Sequence, residues 1–485
     1  MKTEKLMDAI GMLDEKQLIP DTPQRKSPRK KPIGRIALRW AAAALCLCFM
    51  AGVVLINPSK AKGNTISEAE YPTSVPFPFE EDFTDEAGQM DYEAYSEAYD
   101  KWYASLENSR NLDPTHKAAF DGFFKNTLSE FIGGETEENR IYSPLNVYMA
   151  LSMLSEITDN QTRSQILSLL CNDEILSLEE CAKQLWDRNY MNDGASSCIL
   201  ANSFWLSDDM DYKKATLTKL SELYKASAFC GKMGTESYDK SLQNWLNEQT
   251  GGLLEESVKN ASMSKDTVIA LASAIYFRGK WQHEFYEQNN TTGKFAAPAG
   301  EVNCEYMNER RVREVYFSED FTAVAKQLTT GGDMWLILPD EGESLNSILA
   351  GDELTNLITS PDNWENTAER LVNLSLPKFD VSSDMDISEP LKALGVKDAF
   401  EPDISDYSPL SEQADQIFLS KANHAARVSV DEKGCTAAAY TLLMMETTGI
   451  MEAESMDFIL DRPFIFAVTS PNGCVLFAGT VYNPN

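Results

Sequence analysis

Residues Val428–Met451 read VSVDEKGCTAAAYTLLMMETTGIM, and this stretch decides what kind of fold the chain can have. Gly434 is followed only by small residues, Cys435, Thr436, Ala437, Ala438 and Ala439. After Tyr440 and Thr441 comes the apolar run Leu442, Leu443, Met444 and Met445, with no charge before Glu446. A loop this apolar invites aggregation if it stays in water. It makes physical sense if the segment is exposed in one state and buried as a strand in another. Small side chains let a new strand enter between two that are already packed, where bulky ones would overpack. Strand parity sorts the segment: Cys435, Ala437, Ala439 and Thr441 share one face and are all small. Thr436, Ala438, Tyr440 and Leu442 share the other, where Tyr440 stays outside the crowded layer.

The chain has 485 residues, 43% of them hydrophobic, which is enough for a large core. A net charge of −32 repels phosphate and argues against a nucleic-acid partner. The basic residues concentrate at the start: Arg25, Lys26, Arg29, Lys30, Lys31, Arg35 and Arg39 precede the apolar run Trp40–Ile56 (WAAAALCLCFMAGVVLI). Counted from Ile36, with Arg39 reaching to the interface, that run matches the roughly 20 residues a bilayer-spanning helix needs. Positive charge on its N-terminal side predicts residues 1–35 inside the cell, 36–56 as a single transmembrane helix or uncleaved signal anchor, and the remainder outside. A cleaved secretory signal, with Ser59–Lys60–Ala61 as the cleavage site, is the competing reading and makes the protein secreted. Cys46 and Cys48 lie in the apolar run, and the other seven of the nine cysteines are scattered with no Cys-x-x-Cys pair. Free thiols are therefore expected, and an exported protein with free thiols points to a bacterial or low-oxygen exterior.

Residues 57–111 change character. Pro72, Pro76 and Pro78 punctuate an acidic run of Glu80, Glu81, Asp82, Asp85 and Glu86, the composition of a solvated tether. Tyr92, Tyr95, Tyr99, Trp102 and Leu106 recur at three- and four-residue steps, an aromatic stripe on one helix face that docks on the main domain or meets another surface component. Asp113–Pro114 opens a helix with Phe120, Phe123, Phe124, Leu128 and Phe131 on one side. Further helices are expected from Ser143–Pro144 through Leu154 and from Asp239 to Leu254. Strands are expected at Val268–Phe277, Met334–Leu338, Leu371–Leu376, Ala425–Val430, Phe464–Thr469 and Val475–Val481. Long connections without a βαβ rhythm give an α+β body with mixed sheets over residues 112–485.

Catalytic and cofactor motifs are absent. The three histidines, His116, His283 and His424, form no zinc pattern, and the chain has no nucleophile elbow, phosphate loop or dinucleotide fingerprint. Asp384–Met385–Asp386 lacks the glycine and closing glutamate of a calcium loop. No enzyme activity, metal or cofactor is expected.

Motifs from residue 139 to the end resemble the serpin family in its order. They are Asn139–Asn146 (NRIYSPLN), Ala201–Leu206 (ANSFWL), Asn244–Asn247 (NWLN) with Thr250–Gly252, and Ala274–Trp281 (AIYFRGKW). Ile337–Gly342 (ILPDEG), Leu376–Phe379 (LPKF), Leu419–His424 (LSKANH), Arg462–Phe466 (RPFIF) and Leu476–Gly479 (LFAG) follow. The resemblance covers residues 112–485 and implies a serpin fold, helices around mixed β-sheets with an exposed reactive-centre loop. It implies a suicide-substrate inhibitor: a serine protease attacks a carbonyl in the loop, and the cleaved loop then inserts into the main sheet and traps the acyl-enzyme. The hinge is then Glu432, Gly434, Cys435, Thr436, Ala437, Ala438 and Ala439. Counting the family's sixteen positions from Glu432 puts the reactive bond at Thr448–Gly449, with the loop's excess length among Glu452–Asp457. A small residue there favours an elastase-like or subtilisin-like target, and cleavage at Met445 or Met451 would suit a chymotrypsin-like one. The resemblance assigns Ser143, Asn146, Ser273 and His424 to the shutter where the sheet opens, and Trp281 to the breach at its top. Asn146 and Ser273 look like an exchange of amide and hydroxyl between two positions, so Ser273→Asn is expected to rescue Asn146→Ser. The partner is a target protease, met by a monomer. A non-inhibitory surface-binding relative is the alternative.

Overall fold

The computed structural model describes residues 64–85, 88–134, 136–413, 417–435 and 454–485, which lie within one compact unit. The run 36–56, the hinge residues Thr436, Ala437, Ala438 and Ala439, and the bond Thr448–Gly449 fall outside the described residues. Among the described residues, no helix is long and apolar enough to cross a membrane.

Two mixed sheets and a set of helices form the body, an α+β architecture. The first sheet contains β1 (Asn64–Ser67), β2 (Ser197–Ser207), β3 (Ala226–Gly231), β4 (Ile269–Lys280), β5 (Phe379–Asp386), β6 (Asn423–Val430) and β7 (Gly434–Cys435). Their spatial order is β1-β3-β2-β4-β7-β6-β5, with the short strand Met191–Asn192 also paired to β2. The second sheet has nine strands and runs from Ser455–Ile459 through Thr367–Pro377, Gly300–Phe317 and Phe321–Gln327 to the C-terminal pair Phe464–Thr469 and Val475–Val481. The expected strands are all present, each within a few residues of its expected ends. Asp384 and Asp386 lie on β5, so the calcium-like triplet is strand, and Asp386 accepts from the Ser388 amide.

Helix α1 (Tyr92–Arg110) precedes α2 (Pro114–Ile132), whose first turn is set by Asp113 accepting from the Thr115 amide at 2.8 Å and by Pro114 at the first helical position. Its phenylalanines at 120, 123, 124 and 131 are buried. Helix α3 (Pro144–Glu156), capped by Ser143, is buried on nearly every side, as a helix apolar all round must be. It lies between the sheets, beneath β4. Helix α4 (Ile175–Asn189) flanks β2, and α5 (Glu236–Gln249) covers β2 and β4 through Tyr238, Leu242 and Trp245. Helix α5 stops at Thr250, at the Gly251–Gly252 pair that signals a helix end in the sequence, and short of Leu254.

The acidic segment is not a free tether where it is described. Asn64–Ser67 adds an antiparallel edge strand to β3, and Tyr71 stacks on Trp186 and Tyr190 of the α4 region at 6.0 and 5.6 Å. Phe77 meets Trp102 edge-on at 4.9 Å, and the Trp102 indole N–H donates to buried Asp193 at 2.9 Å. The aromatic stripe therefore divides. Trp102 and Leu106 face the body, Tyr95 and Tyr99 are half-buried, and Tyr92 is exposed. Proline and acid signalled a tether, but the apolar residues between them outweigh that signal by burying aromatic area. Trp102 is 1% exposed and Tyr92 74%. Trp102→Ala is expected to lower stability by about 3–5 kcal/mol, and Tyr92→Ala to stay within about 0.5 kcal/mol, in urea unfolding of the two variants.

Candidate functional site: the hinge and the gap in the first sheet

β6 runs into a tight hairpin that starts β7. Asp431 makes the turn: its carboxylate accepts from the amides of Lys433 at 2.8 Å and Gly434 at 3.1 Å, and its own amide donates to the Gly434 carbonyl at 3.0 Å. The returning residues pair on both sides, Cys435 with Val430 of β6, and Gly434 and Cys435 with Lys280 and Gly279 of β4. Gly434 is required by close approach, because a Cβ there would stand 2.1 Å from the Gly279 carbonyl oxygen.

β7 is antiparallel to both neighbours, so β4 and β6 are parallel to each other, and neither pairs with the other among the described residues. Below Cys435, no strand lies between β4 and β6 among the described residues. A cavity of about 870 Å³ lies along the gap, lined on one side by Ala270, Ala272 and Ala274 of β4, on the other by Asn423 and Ala425 of β6, and below by α3. Ile269, Leu271 and Ile275 of β4 and His424 of β6 complete the lining along the two strands.

Trp281 sits at the top of this gap and is buried. Its indole N–H donates to the Asp431 carbonyl at 2.9 Å, its amide to the Lys433 carbonyl at 3.0 Å, and the Phe285 amide to the Glu432 carbonyl at 2.9 Å. The buried Glu432 carboxylate pairs with Lys378 at 2.6 Å and accepts from Asn290. Burial disfavours that charge, but Lys378 and Asn290 outweigh it and hold the carboxyl below its ordinary range. The hinge is thus tied to three separate pieces of the body.

The residues that the resemblance assigns to the shutter lie under the gap. The Ser143 amide donates to His424 Nε2 at 3.0 Å, the Asn146 amide to Ser143 Oγ at 3.2 Å, and the Asn146 side chain to the Ser273 carbonyl at 3.1 Å. The Asn146 side chain is thus joined to position 273 through main chain that any residue there would present. His424 accepts at Nε2, so it is neutral, and burial pushes its pKa down to about 4.

The loop returns to the body sooner than expected. Glu454 accepts from the Leu371 amide, and Ser455–Ile459 runs parallel to Thr367–Pro377, so Ser455, Met456 and Asp457 belong to a strand and not to spare loop. Sequence reasoning missed Lys378, Asn290 and Lys326 around the hinge. For Lys326 the signal was there, one lysine in the apolar strand Phe321–Gln327. Among the described residues, Cys171, Cys181, Cys198, Cys230, Cys304 and Cys474 are free thiols, and no cluster of three or more His, Cys, Asp or Glu could hold a metal ion.

Comparison with known proteins agrees with this geometry. The family model "Serpin (serine protease inhibitor)" matches residues 119–484. Serpin-Z2A of Oryza sativa subsp. japonica is 27% identical over 73% of this chain and 93% of its own length. An uncharacterised serpin-like protein of Methanosarcina acetivorans is 25% identical over 76% of this chain and 87% of its own. The native-state crystal structure of the thermophilic serpin tengpin superposes with a TM-score of 0.68 at 26% identity, over 77% of this chain and 95% of that one. The chain belongs to the serpin family, whose members in general inhibit proteases and are not themselves enzymes.

His424 gives the site a pH signature. The unfolded chain binds a proton near pH 6.5, whereas the native imidazole does so only near 4. Stability is therefore unaffected by this group above 6.5 and falls as the pH drops from 6.5 to 4, by about 3 kcal/mol in all. Urea unfolding of wild type and His424→Gln across that range should show the extra loss in wild type alone.

Proposed function

We propose that this serpin is a suicide-substrate inhibitor of extracellular serine proteases, acting as a monomer at a bacterial cell surface and held there by the apolar run 36–56. The observation that carries the reading is β7: the hinge is already the first two residues of a strand between β4 and β6, and the gap continues beyond it. A protease serine that attacks the Thr448 carbonyl forms an acyl-enzyme and releases the amine of Gly449. The freed segment extends β7 down the gap, with Cys435, Ala437, Ala439 and Thr441 on the face parity assigns to the packed layer. Thr448 lies thirteen positions beyond Cys435, so full insertion carries the acyl bond on the order of 40 Å. Main-chain groups along the gap gain partners as the strand enters, which drives the change. The absence of charge and proline from Gly434 to Met445 favours this mechanism over an inert relative. Thr448, flanked by Thr447 and Gly449, suits the small pocket of an elastase-like or subtilisin-like protease.

Incubation with elastase-like, subtilisin-like and chymotrypsin-like proteases tests the reading. The expected result is a complex that survives denaturing electrophoresis, together with a released C-terminal peptide that mass spectrometry shows to begin at Gly449. Cleavage without a complex would instead mark a non-inhibitory binding protein. Parity supplies a sharper test. Ala437→Glu puts a charge on the buried face and should shift products at least about tenfold toward cleaved, uncomplexed protein, while Ala438→Glu, on the opposite face, should keep trapping.

A further inference from the structure

The pairing that starts the inserted strand is weakly specified by its own side chains. Gly434 faces Lys280 and Cys435 faces Gly279, so each of the two pairs has a glycine. Glycine-rich pairings are prone to slip, and a slip of one residue turns every side chain to the other face. Here it would bring Thr436, Ala438 and Tyr440 into the packed layer. The Asp431 turn and the Cys435–Val430 pair set the register against β6; against β4 it is held by the three hydrogen bonds from Trp281 and Phe285 to the carbonyls of Asp431, Glu432 and Lys433.

The segment that supplies these bonds is itself gathered on one ammonium. Lys326 is 4% exposed. Its Nζ donates to the His283 carbonyl at 2.9 Å and lies 5.1 Å from the Trp281 ring centroid and 4.1 Å from that of Phe285. One cation thus touches residues 281, 283 and 285 together. Glu309 accepts from it at 2.9 Å and also pairs with Arg313, which anchors the ammonium to the second sheet. Burial presses the lysine pKa down to about 8, against the pull of Glu309. Cation–π contacts are strongest when desolvated in this way.

We propose that Lys326 is a positioning residue for the inhibitory step: by gathering Trp281, His283 and Phe285 on its ammonium, it fixes the register from which the cleaved loop builds its strand. This rests on the inhibitory reading above. Without the ammonium the segment 281–285 loosens, the first strand pairs slip, and deacylation overtakes insertion.

The test uses the full-length chain as Lys326→Met and Lys326→Arg, with amide hydrogen exchange resolved to residues 281–285 and the ratio of trapped complex to cleaved product. In Lys326→Met the Trp281 and Phe285 amides should exchange about tenfold faster, with β2 amides unchanged, and cleaved product should gain at the expense of complex. Lys326→Arg, which keeps the charge over the rings, should restore both. Wild-type exchange and product ratio in Lys326→Met would overturn the proposal. So would acceleration spread evenly through the sheet, which would make Lys326 a contributor to stability alone. If the methionine variant does not fold, Glu309→Gln, which releases the ammonium from its anchor, should show the same local pattern, and unchanged exchange there counts against the proposal. A wild-type chain that forms no complex with any protease overturns the inhibitory reading, and the exchange result then decides the tether alone.

Discussion

Two parallel strands, β4 and β6, stand apart with main-chain groups turned toward the gap between them, and the rest of the molecule is arranged around that constraint. Backbone donors and acceptors are costly to leave unmet, and the exposed edge of a strand is a template for another. At the hinge the edge is met by β7, whose two residues pair on both sides. Below it, the cavity between β4 and β6 is walled by alanines of both strands together with Ile269, Leu271 and Ile275 of β4. The molecule thus holds an unfinished sheet and, attached to it, a segment of the composition that would finish it.

What keeps the two in step is a set of polar contacts concentrated at one end. Asp431 shapes the hairpin, Glu432 ties it to Lys378 and Asn290, and Trp281 and Phe285 hold its carbonyls. Single ion pairs near a surface contribute little, but these are buried around one hairpin and reach three separate parts of the chain. At the other end the contacts are different in kind. Ser143, Asn146, Ser273 and His424 are joined largely through backbone atoms and a neutral imidazole, which avoids the desolvation cost a charge would bring beneath the sheet.

The segment ahead of the family domain extends this same sheet from its far edge. β1 covers the flank of β3, and the cluster of Phe77, Trp102 and Leu106 packs beside Ala195 in the turn that enters β2. An edge strand that would otherwise lie open is paired within the chain.

Much of this was legible in the sequence, and the reasons differ by element. Helix starts at Asp113–Pro114 and Ser143–Pro144 and the apolar strands followed from local chemistry, because caps and periodicity act over a few residues. The small-residue run after Gly434 is the sequence basis of the proposed insertion, because packing between two strands restricts side-chain size whatever the surroundings. Gly434 also stood out in the sequence, and it begins β7 in the structure. Only the tertiary structure decided that the acidic segment folds onto the body, because aromatic burial there depends on partners such as Asp193 and Trp186, remote in the chain. It also decided that Asn146 bonds to main chain, that the loop ends at Ser455, and that Lys326 lies beneath Trp281. Those depend on which residues distant in sequence come within a few ångströms, a matter of how strands cross and sheets stack, which no local pattern encodes.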